Sequence, residues 1–111
     1  MSELTQANSD GSAVVNDARG RKLTVRQPDF LQESRITKLC GEASTNVGYM
    51  YAYVFPAIAV IAVDGDAVPF PTTYLQIEGL IARVGREGCS AVLNHMSSAH
   101  NAEAHREDVK N

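Results

Sequence analysis

From Ala43 to Val63 the chain carries no charged residue. As one helix this stretch would measure roughly 31 Å, enough to cross a bilayer. It must therefore fill the centre of a fold or sit in a membrane, because a helix apolar on every side has no solvent face. Pro56 in mid-span, three tyrosines in its first half, many alanines and no leucine argue against the lipid. A single-span membrane protein using residues 43–63 stays as the alternative. Pro56 removes the donor to the Ala52 carbonyl and is expected to bend or split the helix. Pro56→Ala is then expected to stabilise the monomer.

The rest of the chain reads as elements that need such a filler. Met1 to Ser12 is polar, has little to bury, and is expected to be disordered. It lacks the basic flank and apolar run of a signal peptide. Strands are expected near 13–17 and 21–26, joined through Asp17-Ala18-Arg19-Gly20. Asp suits the first position of a type I turn, and Gly20 takes the left-handed conformation that rejoins the strands. Leu23 and Val25 alternate with Lys22, Thr24 and Arg26, so one face is apolar.

Pro28 opens a helix over 29–40 that Gly41 stops. Leu31, Ile36, Leu39 and Cys40 share an arc, and Arg35 falls inside it. Arg35 either lays its stem along the core and lifts its head to water, or pairs within a partner interface. Ser44, Thr45 or Asn46 can cap a helix over 46–63, broken by Asp64-Gly65-Asp66. Thr73 and Gln76 fit a capping box for a helix over 73–84 ending at Gly85, with Tyr74, Ile77, Leu80, Ile81 and Val84 on one arc. A last helix over 87–98 buries Cys89, Val92, Leu93 and Met96, and residues 99–111 form a polar tail. The fold expected is mainly α, a small bundle of about four helices with an N-terminal β-hairpin, in a single domain over 13–98.

Chemistry is hard to find in this pattern. A net charge of −3 offers no basic face for nucleic acid. Val84-Gly85-Arg86-Glu87-Gly88 has the outline of a KH-type GxxG loop, but Glu87 places a negative charge where a phosphate would lie. His95, His100 and His105 recur every five residues, and on a helix they diverge by about 140° per step, too far to share a metal. Asp64 and Asp66 lack the downstream ligands of a calcium loop. Cys40 and Cys89 sit in apolar helical patterns, as buried thiols do. No nucleophile has an identifiable base, so no catalytic, cofactor or metal site is expected, and the chain reads as no enzyme.

One resemblance covers Val14 to Met96. It rests on the hairpin Asn16-Asp17-Ala18-Arg19-Gly20-Arg21-Lys22-Leu23-Thr24-Val25, the helix ending at Cys40-Gly41, and Val63-Asp64-Gly65-Asp66-Ala67-Val68-Pro69. It continues through the Pro71-Thr72-Thr73 cap, Ile77-Glu78-Gly79-Leu80-Ile81-Ala82-Arg83-Val84-Gly85 and Glu87-Gly88-Cys89-Ser90-Ala91-Val92. In order and texture these segments resemble the tail assembly chaperones of long-tailed bacteriophages. The resemblance implies a helper in the host cell cytoplasm that coats the tape measure protein and recruits tail tube subunits. Many such proteins also have a longer frameshifted form. Self-association is expected, with no membrane or nucleic-acid partner. The apolar helix has residues to spare, and Tyr49 and Tyr53 are expected to bind partners, with Arg35 as a further candidate.

Overall fold

In a computed structural model, residues 5–7 and 11–110 are described, with side chains from 11 to 98. Strands β1 (Thr5–Ala7), β2 (Ala13–Asn16) and β3 (Lys22–Val25) lead into helix α1 (Phe30–Cys40) and a 3₁₀ turn, Gly41–Thr45. Helix α2 follows over 47–58, then β4 (Val60–Val63), β5 (Asp66–Ala67) and the long helix α3 (Tyr74–Lys110). The strands form one antiparallel meander in the order β1-β2-β3-β4-β5.

This architecture corrects the expected four-helix bundle. The hairpin lies where its pattern put it, with Val15 opposite Leu23 and Asn16 opposite Lys22. It is the middle of a five-stranded sheet, however. The expected 46–63 helix ends at Ile58, and its last residues turn back as β4 against β3. A short apolar run such as Val60-Ile61-Ala62-Val63 suits a strand as well as a helix, and periodicity cannot separate the two. The deciding signal is Asp64-Gly65, taken above only as a helix stop. Asp64 (φ 50) and Gly65 (φ 87) both have positive φ, the two-residue turn that matches strand twist. Asp64 also accepts from the Lys22 amide at 2.8 Å, tying the turn to β3. The single helix over 43–63 that the membrane alternative required is absent for the same reason. Among the described residues no helix is long and apolar enough to cross a bilayer.

The N-terminal segment departs from expectation too. β1 pairs with β2, with Thr5 opposite Val15, where disorder was expected. Residues 1–4 and 8–10 lie outside the described set. At the other end α3 remains helical to Lys110, through most of the span read as a tail.

Helix starts obey local chemistry. Asp29 caps α1 by accepting from the Gln32 amide at 2.8 Å, and Gln32 returns the bond to the Asp29 amide at 3.0 Å. Asn46 caps α2 through the Tyr49 amide at 3.0 Å. Thr73 caps α3 through the Gln76 amide at 3.1 Å, while the Gln76 side chain reaches the Thr72 amide at 2.7 Å.

α2 has an unusual middle. Met50–Val54 is a π-helical turn, in which the Phe55 amide donates to Met50 five residues back. The extra residue per turn falls just before Pro56, whose missing N–H already prevents the regular bond to Ala52. The helix is therefore rewound at Pro56, and not split. Met50, Val54, Ala57 and Ile58 point into the core beside Leu23, Ile36, Ile77, Val84 and Val92. Pro56 is itself fully buried, which reverses the expected effect of removing it. Pro56→Ala leaves a cavity and adds a buried amide, and should lower stability by about 1–2 kcal/mol. Urea unfolding measures this; a gain in stability would show that the π turn is a strained response to proline.

Candidate functional site

The hairpin turn builds a polar cluster held by side-chain and backbone bonds. Gly20, with φ 78, closes the loop through its amide to the Asp17 carbonyl at 3.1 Å. That geometry points the Asp17 carboxylate inward, where Oδ1 accepts from the amides of Arg19 at 3.0 Å and Arg21 at 2.9 Å. Oδ2 receives the Arg21 guanidinium through Nε at 2.8 Å and Nη2 at 2.7 Å. The far edge of the same guanidinium donates to the Arg83 carbonyl at 2.8 Å and the Val84 carbonyl at 2.6 Å. Those carbonyls end the first arm of α3, because Gly85 is the one non-helical residue inside it, at φ 73 and ψ 177. Arg21 therefore caps a helix C-terminus with a charge of the favourable sign.

Burial opposes the charge on Asp17, but the amide and guanidinium of Arg21, with the Arg19 amide, outweigh it. Together they hold the carboxyl below its ordinary 3.8. A carboxyl lowered on folding stabilises the fold fully above its unfolded value and ceases to do so as pH falls through the folded one. Wild type is thus expected to lose stability below pH 3.8 with a steeper slope than Asp17→Asn, as read by denaturant midpoints across pH. Equal slopes would mean that the pair is not maintained in solution.

This cluster is structural. It closes the GxxG outline as well, because Arg21 and Leu23 lie against Gly88 and leave no space there for a nucleic-acid backbone.

A candidate surface for a partner lies on α1 and α2. Phe30, on the first turn of α1, is 86% exposed, and Tyr51 on α2 is 64% exposed. Tyr51 and Phe55 stack obliquely with ring centroids 5.3 Å apart. With Phe30 they line a groove between α1 and α2, flanked by Glu33 and Lys38. One charge of each sign gives the groove no electrostatic preference. Leu31 and Val47 are also exposed nearby in sequence.

The residues singled out from sequence divide differently. Tyr49 is half-buried against the core, and its hydroxyl bonds that of Tyr74 at 3.0 Å. Burial, then the Tyr74 hydroxyl, push its phenol well above the ordinary value. Tyr53 is 40% exposed and packs its ring 6.2 Å from Tyr49. Arg35 is exposed on α1, one turn beyond the exposed Leu31. Tyr51 and Phe30 were missed. The signal available for Tyr51 was its i, i+4 spacing to Phe55, obscured because every neighbour in the run is apolar.

Cys40 and Cys89 are buried free thiols, both raised by burial. The Cys89 thiol lies 3.8 Å from the Tyr53 carbonyl, a weak donor contact. His95 is half-buried beside a groove between β2 and α3, and the side chains of His100 and His105 lie outside the described set. Among the described residues no group of three His, Cys, Asp or Glu side chains could hold a metal. The chain matches no protein-family model, no curated protein and no solved structure.

Proposed function

We propose that this protein acts by binding another protein, as a tail assembly chaperone of a long-tailed bacteriophage that holds the tape measure protein in the host cytoplasm. The observation that supports this reading is the exposed aromatic groove of Phe30, Tyr51 and Phe55 between α1 and α2. Large aromatic side chains are seldom left bare together on a soluble surface without a partner. They bind with little loss of rotamer freedom, so a few of them carry most of an interface's energy. The tape measure protein as occupant, and the tail tube subunits as later partners, rest on the resemblance of residues 14–96. Self-association and a non-catalytic role belong to the same proposal.

Co-expression of this chain with its cognate tape measure protein tests the reading. Soluble recovery of the client, and its co-purification in a defined complex, is the expected result. A client equally insoluble with and without this chain would remove the chaperone role.

A further inference from the structure

We propose that the bend at Gly85 is a hinge clamped by the Asp17–Arg21 pair, and that straightening it exchanges the 86–110 arm between two copies of this chain. Three features belong to the bent form alone. Gly85 holds φ 73 and ψ 177, a conformation open essentially only to glycine. A Cβ on Gly88 would lie 2.6 Å from Val84 Cγ1, closer than two carbons can pack, so the Val84 side chain as seated in the bent form is matched to glycine there. The Arg21 guanidinium occupies the Arg83 and Val84 carbonyls, which on an unbroken helix would accept from the amides of residues 87 and 88.

The bent form thus keeps two glycines, both poor helix formers, and gives up helical hydrogen bonds that a guanidinium replaces. A straight α3 recovers those bonds and needs neither glycine. What it loses is the seat of the arm, where Cys89 and Val92 are buried with Val84 and Leu23 in one core. A second copy supplies that seat with every contact identical, which makes exchange of an element a low-cost route to a dimer. Opening one glycine hinge is the only backbone change required. Release of the Arg21 clamp sets its rate.

The test uses the full chain carrying Asn16→Cys and Ser90→Cys, two exposed positions on opposite walls of the groove between β2 and α3. The native thiols are buried and stay unlabelled at neutral pH. Protein is held concentrated just below its Tm, cooled, diluted, and joined with a short bismaleimide. An exchanged arm gives chains cross-linked in pairs on denaturing gels; an arm on its own sheet gives cross-links within one chain. Adding Gly85→Ala should raise the paired fraction at least tenfold, and adding Arg21→Met should speed its appearance. Only within-chain cross-links in the protein with native Gly85, whether monomeric or dimeric by light scattering, overturn the proposal. That holds even if Gly85→Ala fails to fold. No client enters the experiment, so its failure leaves the partner-binding reading standing.

Discussion

Asp17→Ala should destabilise the protein by about 3 kcal/mol, the low end of what removing one partner of a buried ion pair costs. In a chain of this size that lowers Tm by roughly 15 °C. The Asp17 side chain has no exposure, and the Arg21 side chain keeps 15% of its own. Water can therefore reach the abandoned guanidinium in part, which keeps the loss below the upper end of the range. The two amides that Asp17 satisfies lie at a turn, where solvent can replace it. The larger consequence is at a distance in sequence. Without the carboxylate, Arg21 is no longer held over the Arg83 and Val84 carbonyls, and the cap on the first arm of α3 loosens. Arg21→Lys should fall between wild type and Asp17→Ala, because an ammonium keeps the charge but cannot fork between a carboxylate and two carbonyls. Paired urea and thermal unfolding measures both variants. A loss under about 1 kcal/mol, the worth of a surface pair, would show that the turn and the helix end hold together without it.

The second large effect concerns binding and not stability. Phe30→Ser with Tyr51→Ser should leave unfolding within about 0.5 kcal/mol of wild type, since both side chains are mostly exposed. The same pair should weaken client binding at least thirtyfold, about 2 kcal/mol, the scale on which aromatic anchors act in interfaces. Phe55 is left in place because it also packs against the core. Tyr49→Ser is the informative contrast. It removes a half-buried ring and strands the Tyr74 hydroxyl, so it should lower Tm before it alters any interface. Affinity by titration calorimetry and melting curves for both variants separate the cases. Full client affinity in the double variant would move the site elsewhere, with Leu75 and Val47 as the next most exposed apolar residues.

Local chemistry determined a good part of this protein from sequence alone. Asp17 and Gly20 set the hairpin turn, and alternation at Leu23 and Val25 set its buried face. Thr73 started its helix, the choice among Ser44, Thr45 and Asn46 narrowed the start of another, and Gly85 ended one. Each of these depends on residues a few positions apart, whose backbone and side-chain bonds close within one turn. Tertiary structure alone decided the rest. Val60–Val63 became a strand because β3 offered it an unpaired edge and Asp64-Gly65 a turn of the right twist. No periodicity inside four apolar residues carries that information. The exposure of Tyr51 over Tyr49 was decided the same way. The uncharged run contains more apolar residues than one helix can bury, and only the π turn before Pro56, with α1 and Tyr74 as neighbours, fixes which ring faces solvent. The link from Arg21 to Arg83 and Val84 crosses sixty-two and sixty-three positions. Such a link follows from how the sheet and the helices pack, because only packing brings the turn and the end of that helix arm together.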